Sequence, residues 1–431
     1  MDSGTGTARR ESPGPPGDGR RRQRWTRRRL VGALGAIGGA AAASALAGCG
    51  GDGGGGPAAS EEARRGAPPS QPSSSAAPRA SSDPSPGPSG VRPLYLGTYT
   101  STAGGGKGIG VAAYDGASGR ITGKGTITGV PDPSYLAVHP DGATLYAADE
   151  RERGAVTAVR LSDGKVLGSR ATGGAATCHL SVHPGGRWLL SADFGSGTVA
   201  VHPIDASGAV GERADLVRHS RPAPRPGQRG PHAHQFVTAP DGRHVLAVDF
   251  GTDTVYSYRL DDRTGVLTEV AQAHTRTGAG PRHLTFHPGG RHAYLANEAD
   301  DTVAVCAYEP SSGRLTVGRP QSTGAKAGVN YPAQLAVTPD GAFAFLANRG
   351  DNTVARYAVE AAGGRLRLLG TTPVAGDFPR QIALSPDGAL LFAANQRSGT
   401  VSVFRVDGAN GGLRLAGGPF ASPVAVCALP L

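Results

Sequence analysis

The chain has 431 residues, of which 18% are charged, and 44 Lys and Arg against 34 Asp and Glu give a formal net charge of +10. Nine Arg and three acidic residues fall within 1–29, so only about +4 remains for the rest, which excludes the basic footprint of a nucleic-acid-binding protein. Abundant glycine (68) and proline (34) can supply many tight turns, and one β-rich repeat domain can absorb most of the length.

At the N-terminus, Thr26-Arg27-Arg28-Arg29-Leu30-Val31 resembles a twin-arginine export signal, and a Gly/Ala-rich apolar run follows to Gly48. Leu46-Ala47-Gly48-Cys49 resembles a bacterial lipobox, in which the Cys49 thiol is acylated and becomes the new N-terminus. Residues 1–48 are therefore expected to be a lipoprotein signal peptide. The alternative is a plain transmembrane anchor, and the small residues of the run argue against it. The protein is expected outside the cell, held to the outer face of the cytoplasmic membrane by that lipid. Residues 49–91 are Gly, Pro, Ser and Ala with few large apolar groups and read as a disordered tether. The remainder, 92–431, reads as one folded domain and is expected to be a monomer. Its cysteines, Cys178, Cys306 and Cys427, are odd in number and read as buried small apolar residues, not a disulfide framework.

A phrase recurs six times along this domain: an apolar strand, Pro-Asp-Gly or Pro-Gly-Gly, and a second apolar strand. Its prolines are Pro140, Pro184, Pro240, Pro288, Pro339 and Pro386, with spacings of 44, 56, 48, 51 and 47 residues. Such a period, built of short strands and turn residues, predicts a β-propeller with four-stranded blades. The phrase joins strand A to strand B. Strand C then opens with Thr-Val, as at Thr198-Val199 and Thr302-Val303, and a more polar strand D follows a Gly-containing turn. Residues 94–128 look like strands B, C and D of a further blade that lacks strand A. The chain ends in Pro423-Val-Ala-Val-Cys-Ala-Leu-Pro-Leu431, an apolar strand without a partner of its own. The expectation is an all-β, seven-bladed propeller whose first blade is closed by the C-terminal strand, leaving no open sheet edge.

The repeat supplies its own alignment. Six residues before each proline stand Ser134, Cys178, His234, Arg282, Ala333 and Arg380; one step on stand Tyr135, His179, Gln235, His283, Gln334 and Gln381. Nine after it is a nearly uniform column, Asp149, Asp193, Asp249, Asn297, Asn348 and Asn395, which reads as a structural bond to the next turn. Ten after it stand Glu150, Phe194, Phe250, Glu298, Arg349 and Gln396, with Tyr99 equivalent in the first blade. The variable columns bring imidazole, guanidinium, carboxylate and amide groups to one mouth of the channel. The longest spacing carries a Pro- and Arg-rich insert at 211–233, expected to overhang that mouth.

Four segments carry a family resemblance: Tyr95-Leu-Gly-Thr-Tyr-Thr100, Pro231-His-Ala-His-Gln-Phe236, Gly280-Pro-Arg-His-Leu284 through Asn297-Glu298, and Ala347-Asn-Arg-Gly350. The chain from 94 resembles the seven-bladed lactonase family of propeller-type 6-phosphogluconolactonases and a carboxymuconate-lactonizing enzyme. The resemblance implies a carboxylic-ester hydrolase without metal or cofactor, taking a small-molecule lactone at the channel mouth. By motif it places the catalytic group at His234, Arg282, Glu298 and Arg349. There are departures: Gln334 stands where relatives often carry Glu, and Phe194 where Tyr is common.

The residues suit lactone hydrolysis. Glu298 or His234 can take the proton of an attacking water. Arg282 can stabilise the oxyanion at the carbonyl. Arg349 and Arg380 can hold a substrate carboxylate or phosphate. His179, Gln235, His283, Arg380 and Gln396 are candidate substrate-binding residues. A calcium ion held by Glu150 with Asn297 or Asn395 is a lesser alternative. The other function class is a non-enzymatic, surface-anchored propeller that binds a carbohydrate or protein ligand. His234, Arg282 and Glu298 at one mouth argue against it, since a purely structural ring needs none of them there.

Overall fold

The structure is a computed structural model that describes residues 90–220, 230–326 and 328–431. The expected export signal, Cys49 and the tether up to residue 89 lie outside the described residues. Among the described residues seven antiparallel sheets follow in chain order, and the regular structure there is otherwise a single short 3-10 turn at Ala361–Gly363. The first sheet pairs Ala425–Pro430 with Val91–Thr98, then Gly108–Asp115 and Ile121–Thr128. The C-terminal strand thus supplies strand A of blade one, as expected. That blade begins earlier than the sequence indicates, because Val91 already pairs with Asp115.

Blades two to seven begin at Pro133, Thr177, Ala233, Pro281, Tyr331 and Pro379. In blade seven strand D is split into Leu413–Leu415 and Phe420–Ala421, both paired with strand C. Strand B is nearly all buried, as in Trp188–Asp193 and Leu390–Asn395, whereas strand D is the polar outer edge. Central strands covered on both faces read as continuous apolar runs, which explains the phrase that marks each repeat.

The apolar core is distributed over seven clusters, one at each seam between neighbouring blades. Tyr146 with Leu180 fills the seam of blades two and three, Phe345 with Ile382 that of six and seven, and Leu94 with Leu390 that of seven and one. The last of these closes the ring. A side-chain clamp reinforces it: Gln381 Nε2 donates to the Ala428 carbonyl at 3.1 Å, and the Ala428 N–H donates to Gln381 Oε1 at 2.9 Å.

The Asp/Asn column is structural, as its uniformity suggests. Asn297, Asn348 and Asn395 donate from Nδ2 to Thr302, Thr353 and Thr400, the residues that open strand C. Asp193 accepts from Thr172, Thr177 and Thr198 at 2.6–2.8 Å. Each pins the B–C turn at the mouth-bearing rim.

Candidate active site

Strand A of each blade opens with a break in register. Pairing skips Cys178, His234, Arg282 and Arg380 in four blades, and Val426 in blade one. In blades two and six it skips two residues, Ser134 with Tyr135 and Ala333 with Gln334. The column six before each proline is therefore a ring of β-bulges. A bulge re-aims a side chain that strict alternation would send to the other face. That is how consecutive residues such as Arg282 and His283 both reach the centre of the ring.

Around the mouth, the four residues expected to be catalytic form one connected group. Arg282 Nη1 donates to Glu298 Oε2 at 2.8 Å, and Arg349 Nη2 reaches the same oxygen at 2.6 Å. Oε1 takes part in neither pair. Arg282 Nη1 also contacts His234 Nε2. A guanidinium has only donors, so Nε2 accepts and the imidazole is neutral with its proton on Nδ1. Arg349 is braced by a bond from Nε to the Tyr331 carbonyl at 3.0 Å. Cys178 is buried, with Sγ 3.4 Å from the His234 carbonyl oxygen.

Across the mouth lies a second group, Glu150, Tyr99 and Arg380, of which the sequence reading placed Arg380 among the substrate-binding residues and Glu150 only in the calcium alternative. Glu150 accepts from Tyr99 Oη at 2.7 Å, and Arg380 Nη2 lies 3.3 Å from the same carboxylate oxygen. The Arg380 guanidinium stands over the Tyr99 ring, 5.7 Å from its centre. Glu150 and Tyr99 stand in the same column as Glu298, which was the available signal. The calcium arrangement does not form: Glu150 faces Tyr99 and Arg380, while Asn297 and Asn395 turn into their own B–C turns.

Beneath the mouth the channel is filled. His283 lies 5.2 Å from His234 and 5.5 Å from His179, ring centre to ring centre, and His179 packs against Tyr135 at 4.2 Å. Both deeper histidines form the floor of the mouth. Gln235 is drawn into the seam: its Oε1 accepts the Leu284 N–H of the next blade at 2.6 Å, as Gln381 does for Ala428. Its carbonyl oxygen is thus occupied by the scaffold and not turned to a substrate. Gln396 is half-buried at the rim, its main-chain N–H bonded to the Phe378 carbonyl at 3.0 Å. The central part of the insert, 221–229, lies outside the described residues. At its flanks His219 donates from Nδ1 to Asp249 at 2.6 Å and the His232 N–H to the same carboxylate at 2.9 Å.

Charge and burial set the protonation states. Burial works to raise the Glu298 carboxyl, but Arg349 and Arg282 outweigh it and hold the group at about 2. Burial, with the Arg282 charge, lowers His179 to about 3. Burial and the Arg282 charge push His283 well below its ordinary range in the same way. Burial and the neighbouring Arg349 depress Arg282, with Glu298 opposing, and an arginine falls from so high a value that it stays cationic at neutral pH. The mouth therefore presents the ionised Glu298 between cationic arginines, with the neutral imidazoles of His179 and His283 beneath, an arrangement able to polarise a carbonyl.

Comparisons with known proteins agree with this architecture. The family model described as Lactonase, 7-bladed beta-propeller matches residues 93–430. A 6-phosphogluconolactonase of Bacillus subtilis is 30% identical over 291 residues, covering 66% of this chain and 82% of that protein. A solved protein of Lactobacillus plantarum superposes with a TM-score of 0.74 at 31% identity, covering 79% of this chain and 99% of the other. The periplasmic gluconolactonase of Pseudomonas aeruginosa does so with a TM-score of 0.73 at 30% identity, covering 79% and 99%.

Proposed function

The chain belongs to the seven-bladed β-propeller lactonase family, and on that premise we propose that it hydrolyses a sugar-derived or carboxylated lactone at the mouth formed by His234, Arg282, Glu298 and Arg349. The observation that carries this reading is the position of Arg282 Nη1, which touches both the His234 lone pair and the Glu298 carboxylate.

Opening a lactone needs an activated water and a donor for the oxyanion. In the resting arrangement Arg282 occupies the His234 lone pair. A lactone carbonyl arriving at Arg282 takes that donor and releases His234 Nε2 to accept the proton of water. Glu298, held at about 2, is a weak base and serves to orient and balance two guanidiniums. Water adds to the carbonyl carbon, His234 takes its proton, and the oxyanion rests on Arg282. The carbon–oxygen bond of the ring then breaks, and the imidazolium returns the proton to the departing alkoxide. The product is the hydroxy acid, with one water consumed.

The relative from Pseudomonas aeruginosa is periplasmic, which supports export of this chain, and the lipid on Cys49 would be its anchor to the membrane. That relative is described as a gluconolactonase, so glucono-1,5-lactone is the first substrate to offer. A panel of sugar and carboxylated lactones offered to the purified protein tests the reading. Turnover above buffer that withstands EDTA and is lost in Arg282→Ala supports it; no turnover on the whole panel overturns it.

A further inference from the structure

Phe378 has a φ of 65°, a left-handed backbone that is an outlier for a bulky aromatic residue. The residue before strand A makes the same left-handed bend at Asp132 (φ 39°), Ala176 (56°), Gly280 (59°) and Val424 (46°), so the bend belongs to the blade and its occupant varies. Strain of this kind persists only where the surroundings impose it. The Phe378 N–H donates to Asn352 Oδ1 at 2.8 Å, and its carbonyl accepts the Gln396 N–H at 3.0 Å. Those bonds hold the bend whatever its side chain, and of these five positions Phe378 alone places an aromatic ring there.

That ring carries two guanidiniums. Arg397 stacks on it with its central carbon 3.8 Å from the ring centre, and Arg349 lies 5.3 Å away. Arg282, Arg349 and Arg380 each face a carboxylate. Arg397 faces none among the described residues, although it is exposed at the rim directly after Gln396. Its main-chain N–H is tied to the Asp377 carbonyl at 3.1 Å, which fixes where the side chain starts. A guanidinium laid flat on an aromatic ring keeps its N–H edge turned outward, ready for two parallel bonds to an oxyanion. The contacts run from Arg397 through Phe378, Arg349 and Glu298 to Arg282, so this edge lies to one side of the carbonyl-binding position.

Resting on the lactone-hydrolase reading, we infer that Phe378 and Arg397 form a specificity-determining pair that receives an anionic substituent carried by the lactone away from its ring carbonyl. Phe378 is the positioning residue and Arg397 makes the contact. Arg349 and Arg380, already paired with Glu298 and Glu150, are poorer receivers, because an incoming anion would have to displace a carboxylate from each.

Calorimetric titration of the full protein with 6-phosphogluconate and with gluconate tests this. The two ligands share the carboxylate and the hydroxyls and differ in the phosphate. The expected result is tighter binding of the phosphorylated acid by about tenfold, a ratio that Arg397→Gln brings close to unity. Phe378→Leu removes the platform and should lower the ratio likewise, while Phe378→Tyr keeps it. Arg414→Gln removes the same charge from the outer strand of the same blade and should leave the ratio in place. No preference in the wild-type protein, or a preference that survives Arg397→Gln, overturns the inference. Turnover on the lactone panel is read separately, so a failed hydrolase reading is distinguished from a failed anion site.

Discussion

Tyr135 and Gln334, 199 residues apart in sequence, meet across the central channel, with the Tyr135 hydroxyl 3.3 Å from Gln334 Nε2 and 3.4 Å from Oε1. They belong to blades two and six, the two blades whose opening bulge skips two residues, not one. The facing strand skips Ala148 or Ala347 as well, so each break carries one extra residue as in the other blades, and the two side chains meet in the channel beneath the mouth. Gln334 is also where relatives often carry glutamate. Here an amide serves the Tyr135 phenol, whose ionisation burial disfavours.

Removing one side of that contact should destabilise the ring. Gln334→Leu leaves the half-buried Tyr135 hydroxyl without its partner and should cost about 1 kcal/mol in urea unfolding. Replacing Tyr135 by Phe in the same protein should recover part of the loss, because both polar groups are then gone. Losses that simply add in the double-mutant cycle would show that the contact carries no energy.

Glu298 is the counter-charge of two buried guanidiniums, so its loss should exceed that of either arginine. Glu298→Gln leaves Arg282 and Arg349 facing each other and should destabilise by about 3–5 kcal/mol. Arg349→Met keeps the Arg282–Glu298 pair and should cost less. Chemical denaturation at neutral pH of the two variants side by side measures the order.

The base assignment separates by kinetics. With His234 as the proton acceptor, His234→Gln should lower kcat by about 10²–10⁴-fold with a small change in KM. An unchanged kcat in that variant would return the role to Glu298.

Acid should unfold the protein through its channel floor. His179 titrates at about 3 in the folded protein against 6.5 ordinarily, because burial and Arg282 disfavour its charge. Below pH 6.5 the unfolded chain takes up a proton that the folded chain refuses, so stability is present above that pH and lost progressively toward pH 3. Glu298, held at about 2 against 4.5, adds a loss with the same sign at lower pH. Urea midpoints between pH 7 and 4 should therefore fall, and fall less steeply in His179→Gln.

Closure through blade one predicts the effect of a short deletion. Removing 424–431 takes away the strand Ala425–Pro430, the Gln381 clamp and part of two apolar seams. The shortened protein should lose its single cooperative thermal transition and elute as aggregate by size exclusion, since an open sheet edge pairs with other copies. A sharp transition and a monomeric elution would show that the ring does not depend on this strand.

The periodic phrase was enough to determine the all-β ring, the blade count and the closing strand. Turn residues and apolar runs are local signals, and a repeat multiplies them. The same alignment singled out the columns that hold His234, Arg282, Glu298 and Arg349, because the scaffold leaves those columns unconstrained, and the family resemblance picked these four from them. Only the tertiary structure decided what each touches. Whether Gln235 faces a ligand or the next blade depends on a neighbouring strand 49 residues away. That Arg282 and His283 both point inward depends on a bulge, and a bulge is a break in pairing with no residue type of its own. Glu150 and Tyr99 become one unit with Arg380, 230 residues from Glu150, only after the ring closes. The left-handed backbone of Phe378, whose ring carries Arg397, is held by tertiary hydrogen bonds, one donated to Asn352 and one accepted from Gln396, which no local propensity encodes.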